Sequence, residues 1–271
     1  MTNHLKKIIF YGRDSQQFAH LYKPNSTKIL PIVVVIHGGY WKDSHSLDSY
    51  ATSAIVDYLQ GFDTAIWNLE YRRMDAIGEN IKAPWPATFK DIAAGLDHLK
   101  TIANEENLDL NRVLLIGHSA GGHLTTWAAS RSNIAPDSEL YEEKPLSIHS
   151  VISIAAISNL FNAGDVDQPE QIQRLMGGCA NTKAERYLAC DPSTLYSEDI
   201  NLTLVHGAQD TCVNISQTQH YCDNAKGVVD QIIMPNADHF SMLPHDGQWQ
   251  AEEWQQLKTL IAEKIKTLGS A

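Results

Sequence analysis

The chain has 271 residues, enough for one sizeable core, and its 43% apolar and 20% charged residues are the proportions of an ordinary globular protein. Its formal net charge is -11, and no Lys/Arg cluster stands out, which argues against nucleic acid and anionic membrane surfaces as partners. No apolar run approaches the ~20 residues of a membrane span. Residues 1–14 also lack the apolar segment of a secretory signal, so the expected location is the cytoplasm.

In chain order, short apolar β-branched runs alternate with longer helical patterns. Strands are predicted at 7–11, 32–36, 64–69, 113–116, 151–154, 202–205 and 231–234. Several are apolar at consecutive positions, as when both faces of a parallel sheet are covered. Helices are predicted at 47–59, 86–99, 120–130, 215–225 and 248–267; the second opens at Pro86 and carries Phe89, Ile92, Ala93, Leu96 and Leu99 on one side. The alternation predicts an α/β fold, a mostly parallel central sheet with helices on both faces.

From 159 to 197 the alternation stops, with short helices at 171–176 and 183–188. This reads as a cap-like excursion over the sheet within a single domain spanning 1–271. Cys179, Cys190, Cys212 and Cys222 form no C-x-x-C pair, so metal-ligand spacing is absent. Reduced thiols are expected ahead of a Cys179–Cys190 disulfide.

The run 113–116 leads into Gly117-His118-Ser119-Ala120-Gly121, and a helical pattern follows. This is G-x-S-x-G in the strand–turn–helix context the motif requires. Small neighbours let the chain reverse tightly and lift the Ser119 hydroxyl above the sheet as a nucleophile. Upstream, His37-Gly38-Gly39-Tyr40-Trp41 directly follows the strand 32–36. Adjacent glycines there can turn backbone N–H groups toward a ligand, so Gly38, Gly39 and Ala120 are the predicted oxyanion donors. His37 is read as holding this loop by hydrogen bonds. Tyr40 and Trp41 either line the pocket or pack beneath the loop; the substrate-facing role is carried forward as the expectation.

With such an elbow, the acid and then the histidine follow the nucleophile along the chain. Asp210 lies just past the strand 202–205, and His239 lies in the loop after the strand 231–234. Asp238 is the rival acid, but adjacent side chains point apart, which favours Asp210. His118, His123 and His206 read as ordinary, and His245 as a surface residue.

These segments resemble the α/β hydrolases related to hormone-sensitive lipase, and most closely the kynurenine formamidase (arylformamidase) branch. The resemblance rests on His37-Gly38-Gly39-Tyr40-Trp41, on the elbow continuing through Gly122-His123-Leu124, and on Glu70-Tyr71-Arg72-Arg73. Trp85-Pro86-Ala87-Thr88 and Asp91 complete it. It implies an α/β-hydrolase fold, a Ser119–His239–Asp210 triad and hydrolysis of a small-molecule ester or aryl formamide, with no metal or organic cofactor. A general short-chain carboxylesterase or thioesterase is the alternative. A non-catalytic ligand-binding version of the fold is disfavoured because all three triad positions are filled. The sequence carries no signal for oligomeric state.

Overall fold

The computed structural model describes residues 4–75, 82–244 and 249–269; His245 and Gln248, the first position of the predicted last helix, lie outside them. Among the described residues eight strands form one sheet: β1 (His4–Phe10), β2 (Phe18–Pro24), β3 (Leu30–Ile36), β4 (Ala65–Leu69), β5 (Leu108–His118), β6 (Ser150–Ile154), β7 (Asn201–Gly207) and β8 (Val229–Met234). Their spatial order is β1-β2-β4-β3-β5-β6-β7-β8. β2 runs antiparallel to β1 and β4, and every other neighbouring pair is parallel.

The central strand β3 explains why the layers form. All seven of its residues are buried. Ile32, Val34 and Ile36 enter one core and Val33 and Val35 the other, because successive side chains leave a strand on opposite faces. Each such fully buried side chain contributes ~1.5–3 kcal/mol, so helices must cover both sides. On the first side lie α2 (Ala87–Asp97), α3 (Leu99–Glu106), α4 (Ala120–Ala129) and α7 (Ser216–Asn224); on the second lie α1 (Ser53–Leu59) and α8 (Glu252–Gly269). No helix among the described residues is long and apolar enough to cross a membrane.

Beyond shifted ends, such as β5 beginning at Leu108 rather than 113, three elements differ from the sequence reading. β2 went unpredicted: His20, Tyr22 and Lys23 interrupt its apolar positions, and its place comes from pairing on both sides with β1 and β4. The helix expected at 86–99 is two helices meeting at His98, the second ending at Asn107 in the left-handed region (φ 53°). The helix expected at 47–59 is helical only from Ser53; before it, Leu47 and Tyr50 are buried from a turn.

Between β6 and β7 the segment 159–197 holds α5 (Pro169–Met176) and α6 (Ala184–Cys190) and no strand. Pro169 occupies the first turn of α5, and Gly177 at φ 70° ends it, the common start and stop of a short helix. Buried Asp191 ties the segment down, its Oδ2 accepting the N–H groups of Leu160 at 2.6 Å and Phe161 at 3.1 Å. From α4, His123 Nε2 donates to the Cys190 carbonyl at 3.0 Å.

Candidate active site

The elbow joins β5 to α4. Ser119 sits at φ 57° and ψ -121°, a conformation costing ~1–3 kcal/mol that persists only where its surroundings hold it. Here its N–H donates to the Ile154 carbonyl at 2.8 Å, and its own carbonyl accepts the His123 N–H at 3.0 Å. The turn also presses α4 against the end of β3. A Cβ on Gly121 would meet the Ile36 carbonyl oxygen at 2.2 Å, so no larger residue fits there.

The loop after β3 is likewise held in an unusual shape. Gly39, Tyr40 and Trp41 all have positive φ, at 99°, 52° and 55°, and the two non-glycine positions cost roughly 1–2 kcal/mol each. Several contacts offset this. His37 Nε2 bonds the Glu70 carboxylate at 2.9 Å, and the Tyr71 hydroxyl donates to the His37 carbonyl at 2.9 Å. Glu70 also bonds Arg73 and, at 3.0 Å, the Leu47 N–H. Burial pushes the Glu70 carboxyl up, but hydrogen bonding from His37 and attraction to Arg73 outweigh it and hold the group below the usual carboxylate range. Outside the regular elements, no backbone carbonyl of the described residues accepts from the N–H groups of Gly38, Gly39 or Ala120.

The two aromatic residues of this loop part company. Tyr40 lines the cleft, its hydroxyl bonding the Asp167 carboxylate and, at 3.2 Å, the Cys212 carbonyl. Trp41 is fully buried beneath the loop and meets His123 edge-on at 5.3 Å. Its predicted substrate-facing role is corrected to packing. With no exposed surface and no place in the lining of the cleft, the indole is packed away from any substrate there.

Asp210 follows β7, and His239 follows β8. Asp210 Oδ2 accepts His239 Nδ1 at 2.7 Å, while Oδ1 accepts the N–H groups of Cys212 at 2.9 Å and Val213 at 2.8 Å. His206 Nε2 stands 3.3 Å from the same Oδ2. Burial raises the Asp210 carboxyl, but the hydrogen bonds from His206, His239 and Val213 more than offset this and hold it far below the carboxylate range. Asp238 does something else: its Oδ1 accepts the N–H groups of Phe240 at 2.9 Å and Ser241 at 2.8 Å, shaping the turn after His239.

Ser119 and His239 face one cleft of about 160 Å³, with Gly39, Tyr40, Lys42 and Asp167 among its walls. Among the described residues no hydrogen bond joins Ser119 Oγ to His239; the serine hydroxyl lies beside that of Tyr50. Such contacts often tighten only when substrate arrives. Larger hollows of about 310 Å³ beside Lys7 and Glu106, and about 290 Å³ between β8 and α8, hold none of these groups.

Three residues here escaped the sequence reading. His206 reaches Asp210 across one turn, four positions before it. Tyr50 arrives from the turn before α1, and its hydroxyl lies 2.8 Å from His118 Nδ1; His118 Nε2 lies 2.8 Å from the His239 carbonyl oxygen. Only the H-G-x-x-D spacing of His206 and Asp210 offered a local signal; Tyr50 and His118 offered none.

The BD-FAE family model matches residues 20–224. The chain belongs to the BD-FAE family. It is 21% identical over 250 residues to esterase LipC of Mycobacterium tuberculosis, covering 86% of this chain but 59% of that protein; the chain thus spans little more than half the length of this curated relative. Among solved structures, an inhibited esterase B from Lactobacillus rhamnosis superposes with a TM-score of 0.76 at 19% identity, covering 98% of this chain and 88% of that one. A truncated carbohydrate esterase from gut microbiota gives 0.75 at 18%, covering 97% and 96%. This member of the BD-FAE family has the α/β-hydrolase fold.

Proposed function

We propose that this protein is a serine carboxylesterase acting on small esters, with Ser119 as nucleophile, His239 as general base and Asp210 as the acid that orients it. The observation that carries the reading is the 2.7 Å bond between His239 Nδ1 and Asp210 Oδ2, behind a cleft shared with a serine on a strained elbow. Esterase relatives and membership of the BD-FAE family support the reaction class.

His239 takes the Ser119 proton as the hydroxyl attacks the ester carbonyl carbon. The carbonyl oxygen becomes negative against the N–H groups of Gly38, Gly39 and Ala120, each worth ~3 kcal/mol of barrier. His239 then protonates the leaving alcohol, and water releases the acid from the acyl-enzyme. Asp210, held ionised by its hydrogen bonds from His239, Cys212 and Val213, fixes the imidazole tautomer and stabilises the imidazolium. No step calls for a metal or organic cofactor.

The cleft of about 160 Å³ is well below the ~300 Å³ at which pockets for drug-sized ligands begin, so a short acyl group is the expected fit. The resemblance to the arylformamidase branch makes an aryl formamide, with the smallest acyl group, the substrate to set beside esters. The test is turnover of nitrophenyl acetate, butyrate and octanoate alongside N-formylkynurenine. Acetate is expected to be fastest, with a steep fall by octanoate; equal turnover of all three esters contradicts the small-acyl reading. Formylkynurenine turnover exceeding that of acetate would make formamide the preferred substrate.

A further inference from the structure

The carbonyl of His239 and the hydroxyl of Tyr50 are joined through one side chain that the proposed chemistry leaves without a role. His118 is the elbow residue immediately before Ser119, fully buried, with Nε2 2.8 Å from the His239 carbonyl oxygen and Nδ1 2.8 Å from the Tyr50 hydroxyl. A carbonyl can only accept, so Nε2 carries the ring proton. Burial and the neighbouring His239 push His118 down to about 3, so at neutral pH it has a single ring proton. Nδ1 is therefore a lone pair, and the Tyr50 hydroxyl donates to it. The Tyr50 oxygen keeps only acceptor capacity for the cleft it lines with Ser119.

Packing makes this arrangement stiff. The His118 and His239 rings lie 4.7 Å apart, and Phe240 closes over both at 5.5 and 4.9 Å. On the other side Tyr50 stands against the oxyanion loop, where a Cβ on Gly38 would come within 2.6 Å of its hydroxyl oxygen. One hydrogen-bonded line thus touches the backbone of the candidate base, the elbow and the loop of oxyanion donors.

We propose that Tyr50 and His118 are positioning residues: Tyr50 selects the His118 tautomer, and His118 Nε2–H pins the His239 carbonyl, setting where the imidazole stands relative to Ser119. This rests on the serine-esterase reading, and the two fail differently. Loss of that reading shows as no ester turnover by the parent protein, or as equal turnover by Ser119→Ala.

The test compares kcat, KM and melting temperature of the parent, Ser119→Ala, His118→Phe, His118→Gln and Tyr50→Phe on nitrophenyl acetate. Phenylalanine fills the imidazole's space but cannot donate, so His118→Phe should lower kcat by ~10²-fold, the scale of a misplaced catalytic group, with KM nearly unchanged. The glutamine amide can donate from nearly the same point, so His118→Gln should recover much of that loss. Tyr50→Phe, which leaves His118 Nδ1 without its donor, should lower kcat by roughly 3- to 10-fold, equivalent to ~1 kcal/mol. Parent-like kcat in His118→Phe, or a glutamine variant no better than phenylalanine, overturns the proposal. Should His118→Phe fail to fold, Tyr50→Phe decides: the predicted kcat loss at constant KM supports the proposal, and parent-like kcat overturns it.

Discussion

Asp210 Oδ2 lies 2.7 Å from His239 Nδ1, although 29 positions separate the two residues along the chain. β7 and β8 run side by side in parallel, so the loops at their ends emerge together, and both side chains are nearly buried. Asp210→Asn keeps the shape but lets the amide donate to Nδ1, favouring the wrong imidazole tautomer; turnover should fall by ~10⁴-fold. Asp238→Asn, which only alters a surface turn, should cost less than tenfold by the same comparison. Kinetics on one nitrophenyl ester separate the two, and the reverse ranking would move the acid role to Asp238.

The loop after β3 and the elbow each carry a glycine with no room for a side chain. Gly38→Ala puts a methyl 2.5 Å from the His118 carbonyl oxygen and 2.6 Å from the Tyr50 hydroxyl. It should lower kcat by ~10²-fold, the loss typical of one misplaced donor, and, because the first of these atoms is backbone, the melting temperature too. Gly121→Ala drives a methyl into the Ile36 carbonyl at the β3–α4 junction, so it should lower the melting temperature as well. Melting curves beside kcat measurements check both expectations.

Trp41 shows where the sequence stops being legible. Strands buried on both faces, such as β3 and β7, were readable because their apolar runs have one physical explanation. The elbow was readable because a G-x-S-x-G turn between strand and helix has a local pattern, and the meeting of Asp210 and His239 because each lies just past the end of a strand. Which way Trp41 turns depends on two left-handed residues and on the α4 surface beneath, and neither appears in a local pattern. The partners of Tyr50 and His118 are likewise decided by tertiary packing, since 68 positions separate those two residues. Trp41→Ala should accordingly cost stability rather than substrate affinity: ~3–5 kcal/mol, or on the order of 10 °C in melting temperature. A large rise in KM with unchanged melting would instead put the indole against substrate.

Glu70 gives a pH signature that needs no substrate. Its folded carboxyl lies below the usual range, so the stability it contributes is fully present above the unfolded value of ~4.3 and is lost as pH falls through the folded one. Glu70→Gln leaves buried Arg73 without its carboxylate, a change worth ~3–5 kcal/mol at neutral pH. The gap in melting temperature between parent and variant should be widest near pH 7 and should narrow progressively below about pH 4. A gap independent of pH would mean that the carboxylate's charge is not what holds the loop.

Whether Ser119 forms the covalent bond is tested by mass spectrometry of the fluorophosphonate-treated protein. One phosphonyl group per chain is expected, on the peptide carrying Ser119, with ester turnover lost in step with labelling. Ser119→Ala should take up no label and lose ~10³-fold or more in turnover. Label on another residue, or full ester turnover by the alanine variant, would contradict it.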